Sequence, residues 1–176
     1  HYGLADGLSN LGVRAAAQDR AGRIWVATGN GLFRFDGHRF DRFGTDKGLA
    51  EDSINDVIAG PDGEIIAGSN SGISVGHGGR FRTLPADEGD GSSMRCIGTG
   101  CLDLLPGGAV IAATPAGLGV LEGGAFRLLP ETRKWNLRSV YVAPDGWIWA
   151  TSISTVHRGR LGAEAQVFGE YLIEEI

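Results

Sequence analysis

Hydrophobic and polar positions along the chain follow one pattern that is repeated four times. Each copy opens with a glycine that precedes a short apolar run, and the four glycines are Gly22, Gly63, Gly108 and Gly146. They are separated by 41, 45 and 38 residues. A period of about 40–50 residues is typical of repeat proteins in which each repeat is one supersecondary unit. We therefore interpret the chain as four structural repeats.

Aligned columns within the repeats predict which positions are buried. Three residues after the glycine comes a large apolar column, formed by Trp25, Ile66, Ile111 and Trp149. Six residues after it comes a small hydroxyl column, formed by Thr28, Ser69, Thr114 and Ser152. Nine residues after it comes a glycine column that Thr155 interrupts, formed by Gly31, Gly72 and Gly117. We expect the large apolar side chains to pack against the neighbouring repeat, and the hydroxyls to find backbone partners.

Turn residues divide each repeat into four short β-rich runs. Pairs such as Asp62-Gly63 and Asp145-Gly146 favour a two-residue type I′ turn, in which both central residues have positive φ. In the first repeat the predicted strands are Val13–Asp19, Arg23–Thr28, Gly31–Asp36 and Arg39–Phe43. No stretch keeps an apolar period of 3.6 residues, so almost no helix is expected. The pattern predicts an all-β fold, a β-propeller of about four four-stranded antiparallel blades.

The repeats and the chain ends are out of phase, which predicts a fragment of a larger propeller. We expect blade repeats near residues 13–44, 54–85, 99–130 and 137–169. Residues 1–3 and 173–176 are predicted to be strands of blades that lie outside the chain. Four blades closing alone and an open arc remain alternatives. Exposed edges of an arc invite pairing with another chain, so we expect self-association, with two arcs forming a homodimeric ring of about eight blades.

Composition excludes several partner classes. A net charge of −5 and a pI near 5.3 argue against nucleic-acid binding, which needs a basic face. No apolar run reaches the 18 residues of a membrane helix. The two cysteines, Cys96 and Cys101, flank the first strand of the third repeat and are either a small disulfide or two free thiols. A metal site is not expected there, because no second ligand pair lies nearby.

The first repeat resembles the two-component regulator propeller repeat nearly throughout, from Gly7 to Gly37. The second repeat keeps Asp62-Gly63-Glu64-Ile65 but has Ile66 in place of the tryptophan, and the fourth keeps Asp145 to Thr151. In that family such propellers form the periplasmic sensor region of membrane receptors, ahead of a kinase or diguanylate cyclase output. The resemblance implies a periplasmic, noncatalytic ligand-binding module with no cofactor, attached to the membrane only through its parent receptor. Some members sense oligosaccharides, so an oligosaccharide or another small molecule is the expected ligand.

Two other functions stay open. One is a protein-interaction propeller that serves dimerisation and binds no small molecule. The other is a secreted propeller lyase, which needs clustered catalytic groups at the channel mouth. The sequence shows no nucleophile elbow, metalloprotease motif or phosphate loop. His38 and His77 fall at the outer hairpin of different repeats with His157 close by, so a shared metal site is not expected.

Candidate ligand-binding residues lie in the linkers between repeats and at the starts of the first strands. In propellers these segments meet around one mouth of the central channel. A tryptophan supplies an apolar face for a sugar ring, and an arginine can bind a carboxylate or sulfate through two parallel hydrogen bonds. The alternative for Trp135 is that it caps the neighbouring blade. The candidates are Arg14, Asn55, Arg95, Arg133, Trp135 and Arg138.

Overall fold

The computed structural model describes residues 2–85, 94–122 and 124–161, and the backbone of 166–171. Its strands form four four-stranded antiparallel sheets, each in chain order. Blade 1 consists of β1 Val13–Gln18, β2 Ile24–Thr28, β3 Gly31–Phe35 and β4 Phe40–Phe43. Blade 2 consists of β5 Ile54–Ala59, β6 Ile65–Ser69, β7 Gly72–His77 and β8 Arg80–Thr83. Blade 3 consists of β9 Leu102–Leu104, β10 Val110–Thr114, β11 Gly117–Glu122 and β12 Ala125–Leu128. Blade 4 consists of β13 Ser139–Val142, β14 Ile148–Thr151, β15 Val156–Leu161 and β16 Gln166–Tyr171.

This architecture confirms the predicted all-β propeller of four blades. The first strands of successive blades contact one another, β1 with β5, β5 with β9 and β9 with β13. Helical structure in the described residues is limited to three 3-10 turns, Leu4–Asp6, Thr45–Lys47 and Pro130–Thr132. The second and third of these turns lie in the linkers between blades. Because each blade has four antiparallel strands in chain order, its first strand begins and its last strand ends at the same end of the sheet.

Strand register gives every blade two rows of side chains with opposite directions. Side chains alternate between the two faces of a strand, so directly paired residues share a face. The row that faces the next blade is Ala17–Trp25–Arg34, Ile58–Ile66–Val75, Asp103–Ile111–Val120 and Tyr141–Trp149–Arg158 in blades 1 to 4. The row that faces the preceding blade is Ala16–Val26–Phe33, Val57–Ala67–Ser74, Leu102–Ala112–Gly119 and Val140–Ala150–His157. A blade junction forms where the row of one blade that faces the next blade meets the row of that next blade that faces back.

Hydrophobic clusters fill the three junctions and hold the blades together. At the junction of blades 1 and 2, Trp25 packs with Phe43 and Phe81, at ring-centroid distances of 5.1 and 6.1 Å. The guanidinium of Arg34 lies 5.6 Å from the Trp25 ring. Ile66 and Ile111 are fully buried at the next two junctions. Each such side chain contributes about 1.5–3 kcal/mol of transfer free energy, so the large apolar column stabilises each of these junctions.

The first turn of each blade differs from the predicted type I′ turn. Only the glycine has positive φ, at 80°, 83°, 85° and 85° for Gly22, Gly63, Gly108 and Gly146. Each glycine N–H donates to the carbonyl three residues earlier, as Gly22 does to Asp19 at 2.9 Å. This pattern is a turn closed by a left-handed glycine, which belongs to the longer hairpin loops. The prediction of a type I′ turn was wrong, because the residue before each glycine does not adopt positive φ.

The hydroxyl column has the backbone partners that were expected. Thr28 Oγ1 donates to the carbonyl of Gly31 at 2.9 Å, and Ser69 and Thr114 make the same bond to Gly72 and Gly117. Blade 4 departs from this rule, since Ser152 Oγ lies 2.6 Å from the hydroxyl of Thr155. In blade 4 the hydroxyl of Ser152 thus pairs with the hydroxyl of Thr155, while it still accepts the N–H groups of Ser154 and Thr155.

The ends of the chain are described only in part. Tyr2 and Gly3 lie in no strand, and the Tyr2 ring packs on Phe35 at a centroid distance of 4.6 Å. Leu8 is buried with Val26 and Phe33 on the face of blade 1 that is turned away from blade 2. The predicted strand at residues 173–176, like His1, lies outside the described residues. The N-terminal segment therefore packs against blade 1.

Candidate functional site

Arg14 and Asn55 meet where the first strands begin. Arg14 Nη1 donates to Asn55 Oδ1 at 2.7 Å, to Ser53 Oγ at 2.9 Å and to the carbonyl of Ile54 at 3.2 Å. Asn55 Nδ2 donates to the carbonyl of Cys96 at 2.6 Å and to Asn70 Oδ1 at 3.1 Å. These bonds connect blades 1, 2 and 3 at the linker end. Most of the hydrogen-bonding capacity of both side chains is thus used between blades.

The remaining arginine candidates lie apart from this network. Arg95 is exposed beside Cys96, Arg133 is exposed in the linker to blade 4, and Arg138 is exposed at the residue before β13. The backbone N–H of Arg138 donates to the carbonyl of Thr151 at 2.8 Å. Within the described residues, no hydrogen bond or ion pair joins the side chain of Arg95 or Arg138 to Arg14 or Asn55. The structure therefore does not bring the six candidates together as one cluster.

A depression of about 470 Å³ surrounds the sixth candidate, Trp135. Trp135 is half-buried, and its ring stacks on the imidazole of His157 with centroids 3.9 Å apart and planes 12° apart. The depression is lined by Lys134, Trp135, Asn136, Ser152, Ile153, Ser154, Thr155 and His157. The linker into blade 4 and the second hairpin of that blade form its two walls. It offers one aromatic side chain among hydroxyl, amide and amine groups.

Backbone conformation is unusual on both sides of Trp135. Lys134 and Asn136 have φ of 69° and 51°, and they are the described non-glycine residues with positive φ. Such conformations cost roughly 1–3 kcal/mol each and persist where the surroundings impose them. The N–H of Lys134 donates to the carbonyl of Ala116 at 3.0 Å, and that of Leu137 donates to Thr114 at 3.0 Å. The second hairpin of blade 3 thus holds the strained linker in place.

A chain of polar contacts runs beneath Trp135. Ser152 Oγ lies 2.6 Å from Thr155 Oγ1, which lies 2.8 Å from Nε2 of His157. His157 is only 2% exposed, so its imidazole is covered by Trp135 and does not reach the surface. The arrangement orients the two hydroxyls and fixes the plane of the tryptophan ring. The lining therefore presents mainly hydroxyl, amide and ammonium groups, with little of the imidazole exposed.

His157 shows what sequence reasoning missed at this site. It lies at the second position of β15, which is the register equivalent of Phe33, Ser74 and Gly119 in blades 1 to 3. It does not lie near the outer hairpin that contains His38. That position meets the preceding linker in each blade, as in the bond from the Ala50 N–H to Ser74 Oγ at 3.0 Å. Ser152 and Thr155 were missed as well, whereas Lys134 and Asn136 belong to the linker that was predicted to bind a ligand. The available signal was Thr155, which interrupts the glycine column.

Two aspartates connect the first strands along the channel. Asp56 Oδ2 accepts the N–H of Leu102 at 2.9 Å, and Asp103 Oδ2 accepts the N–H of Val142 at 2.7 Å. Burial raises the pKa of Asp56 above its ordinary value, and hydrogen bonds from backbone N–H groups oppose that rise only in part. Each carboxylate thus bridges two blades that share no strand pairing.

The two cysteines lie against this bridge. Cys96 and Cys101 are joined as a disulfide with Cα atoms 5.8 Å apart, and both are buried. Together with Asp56 they place three ligand-type atoms within 4.8 Å of one another. Disulfide sulfurs are not the thiolates that metal binding requires, and both Asp56 oxygens accept backbone N–H groups. The geometry therefore fits a structural staple better than a metal centre.

Comparison with known proteins bears on the repeat and on the fold. Residues 7–30 match the sequence model of the family described as two component regulator propeller. Blade 1 carries this repeat. No curated protein matches the chain. Among the described residues, no helix has the length and apolar character needed to cross a bilayer.

Solved structures extend the likeness to the whole arc. The extracellular domain of the hybrid two component system BT3049 from B. thetaiotaomicron matches 96% of this chain at 19% identity, with a TM-score of 0.75. That of BT4673 from the same organism matches 92% at 16% identity, with a TM-score of 0.74. Virginiamycin B lyase from Staphylococcus aureus matches 92% at 15% identity, with a TM-score of 0.68. At these identities the likeness establishes the propeller fold.

The arc is short beside these structures. It spans 26% of the BT3049 chain, 22% of the BT4673 chain and 56% of the lyase chain. The three proteins share the blade architecture while their names describe different roles. Function must therefore be argued from the site rather than from the fold.

Proposed function

We propose that this arc is a noncatalytic, extracytoplasmic sensor module of a bacterial signalling receptor, and that it binds an oligosaccharide in the depression around Trp135. The observation that carries the proposal is an aromatic ring set among hydroxyl and amide groups on a strained, firmly held linker. The repeat match over residues 7–30 and the likeness to extracellular domains of hybrid two component systems support the receptor context. Periplasmic location is the corresponding proposal for the cell.

The lining of the depression suits a sugar. Hydroxyls of Ser152, Ser154 and Thr155 and the amide of Asn136 can exchange hydrogen bonds with sugar hydroxyls, because each group both donates and accepts. Trp135 supplies apolar area for the C–H face of a ring. Lys134 and the exposed Arg133 add positive charge near the rim, which favours an acidic sugar over a neutral one.

The lyase alternative has less support. Its general requirement is an acid–base pair within reach of the substrate. The described lining of the depression includes no carboxylate, and the one imidazole is 2% exposed beneath Trp135. The lyase from Staphylococcus aureus shares the propeller architecture at 15% identity. A binding module accounts for the site with fewer assumptions than an enzyme does.

Calorimetric titration of the chain with a panel of neutral and acidic oligosaccharides tests the proposal. We expect one class to bind, and Trp135→Ala to weaken it at least tenfold, because truncating a central aromatic hot-spot residue costs about 2 kcal/mol or more. Trp147→Ala is the matched control, since Trp147 lies in the first turn of blade 4 and outside the depression. Binding that is equally weak in both variants, or that is absent throughout the panel, would refute the assignment.

Asn136→Gly separates the side chain from the backbone. Glycine adopts positive φ freely, so this variant removes the amide while relieving the conformation at φ 51°. We expect weaker saccharide binding with an unchanged or raised melting temperature. A variant that binds as tightly as the wild type would show that the amide makes no ligand contact.

A further inference from the structure

The outer hairpin of blade 2 carries a basic surface. Val75 pairs with Arg82 across β7 and β8, and two residues further along His77 pairs with Arg80, so all four side chains share one face. Val75 is buried against blade 3, which shows that this face is turned toward that blade. The other three side chains are exposed. They therefore lie at the outer rim of the junction between blades 2 and 3, in the interior of the four-blade arc.

Blade 1 has mixed charges at the same four positions. Its equivalent residues, each 41 positions earlier, are Arg34, Asp36, Arg39 and Asp41. Asp41 neutralises two of them, since its Oδ2 is 3.1 Å from Nη2 of Arg34 and its Oδ1 is 3.5 Å from Nε of Arg39. In blade 2, the positions of the two aspartates hold His77 and Arg82. The surface that is neutralised in blade 1 is thus uniformly basic in blade 2.

Neither arginine of this surface has an ion-pair partner in the part of the chain that the structure describes. Arg82 Nη1 and Nη2 lie 3.4 and 3.5 Å from the carbonyl of Gly124, on the outer hairpin of blade 3. These are long hydrogen bonds to one neutral oxygen, although a guanidinium has five N–H donors. Charge on an outer strand also protects its edge from pairing, but blade 1 has such charges in neutralised form. Blade 2 therefore keeps two positive charges that no described carboxylate compensates, on a chain whose net charge is −5.

A cleft of about 210 Å³ lies among these groups, and we call it the rim cleft. It is lined by Val75, His77, Arg80, Phe81 and Arg82. The described lining thus combines two guanidinium groups and one imidazole with two buried apolar side chains, and it includes no carboxylate. Such a lining attracts an anion, because the fixed positive charges have no acidic group in the cleft to bind instead.

We propose that the rim cleft binds a phosphate or sulfate monoester carried by a larger molecule. Arginine binds such groups through two parallel hydrogen bonds, because its planar fork matches two oxygens. Arg80 and Arg82 lie two residues apart on the same face of β8, so both can approach one tetrahedral group, and His77 adds an N–H donor. A carboxylate has only two oxygens and would leave one guanidinium unmatched. The rim cleft shares no lining residue with the depression around Trp135, so this inference is independent of the saccharide site.

Titration of the isotope-labelled chain, followed by NMR, tests the proposal with glucose 6-phosphate and glucose 6-sulfate as probes and glucose as the uncharged control. We expect the backbone signals of residues 77–82 to shift with at least one ester and not with glucose. Binding should weaken as sodium chloride is added, because salt screens exposed charges. Equal binding of both esters would support recognition of the tetrahedral group itself, and preference for one would support the proposal and identify the source. Absence of shifts at residues 77–82 with both esters would overturn it.

Arg82→Asp gives blade 2 the acid that blade 1 has at Asp41, and so places a carboxylate beside Arg80. We expect it to lower the affinity for the ester by roughly tenfold or more, since hydrogen bonds between charged groups are lost. Arg80→Gln should also weaken binding, and it leaves the contact of Arg82 with Gly124 intact. Arg39→Gln is the matched control, because Arg39 is the exposed equivalent of Arg80 in blade 1 and lies outside the rim cleft. Undiminished binding in Arg80→Gln, or an equal loss in the control, would overturn the proposal.

Discussion

Asp19 offers the sharpest test of how the first blade is stabilised. Its Oδ1 accepts the N–H groups of Ala21 and Arg23, both at 3.0 Å. Its Oδ2 accepts Nε of Arg23 at 2.8 Å and Nε1 of Trp25 at 2.9 Å. Asp19 is 7% exposed and Trp25 is 2% exposed. One carboxylate therefore closes the first turn and satisfies the indole N–H of the central tryptophan.

The loss in the free energy of unfolding expected for Asp19→Ala follows from these four hydrogen bonds. Leaving the buried indole N–H without an acceptor costs about 1–3 kcal/mol, and losing the backbone N–H bonds to a charged group costs a further 1–2 kcal/mol or so. The Arg23 side chain is 42% exposed, so its ion pair adds little. We expect a loss of about 3–4 kcal/mol, which corresponds to a fall in melting temperature of roughly 10 °C for a chain of this length.

Equilibrium unfolding in urea, followed by tryptophan fluorescence, measures this loss. Asp62→Ala is the control, because the exposed carboxylate of Asp62 makes no described hydrogen bond, and it should change stability by less than about 0.5 kcal/mol. A cycle with Trp25→Phe isolates the indole bond, and we expect a coupling free energy of about 1–2 kcal/mol. Additive effects of the two changes, or an Asp19→Ala variant as stable as the control, would refute the reasoning.

The pH dependence of the same variant provides a second readout. Burial acts to raise the pKa of Asp19, but the hydrogen bonds from Trp25 and Arg23 outweigh it and hold the pKa below its ordinary value. A carboxyl with a lowered folded-state pKa stabilises the fold above the unfolded-state pKa, and loses that contribution as pH falls through the folded-state pKa. The difference between wild type and Asp19→Ala should therefore shrink below about pH 4.

Two further predictions concern blades 2 and 3. Burial raises the pKa of Asp56, so its ionisation destabilises the fold as pH rises from the unfolded-state pKa near 4 through the folded-state pKa. The wild type should therefore lose stability across that interval relative to Asp56→Asn. Melting-temperature profiles that run parallel for the two proteins would contradict this. Reducing the Cys96–Cys101 disulfide, or replacing Cys96 by Ser, should cost roughly 2 kcal/mol, as expected for so short a loop. Thermal unfolding with and without reductant measures this, and a Cys96→Ser variant that still responds to reductant would contradict it.

The sequence predicted most of the local structure of blade 1. The strands of blade 1 were predicted within one residue at each end, because glycine turns and aligned columns mark them. The burial of Trp25, Ile66 and Ile111 followed from the same columns. The column did not predict the 38% exposure of Trp149, because burial also depends on what packs against each position.

The candidate site was anticipated only in part. Trp135 was predicted, and it lines the depression, while Arg14 and Asn55 form a network between blades. Arg14, Asn55 and Arg138 were grouped because they share a register position, and Arg95 and Arg133 because they lie in linkers, but neither criterion specifies which side chains contact one another. Lys134 and Asn136 lie in the linker predicted to bind a ligand, but their positive φ carried no sequence signal, since a positive φ at residues other than glycine arises from the contacts that hold the linker.

The sequence by itself determined the repeat, the number of blades, the strand boundaries and the identity of the junction columns. These depend on local chain geometry: the alternation of side chains along a strand and the conformational freedom of glycine at turns. Only the tertiary structure decided that His157 lies beneath Trp135 and that Asp56 and Asp103 bridge neighbouring blades. Each of these depends on residues distant in sequence being packed side by side, and that arrangement is set by how the blades are stacked around the channel.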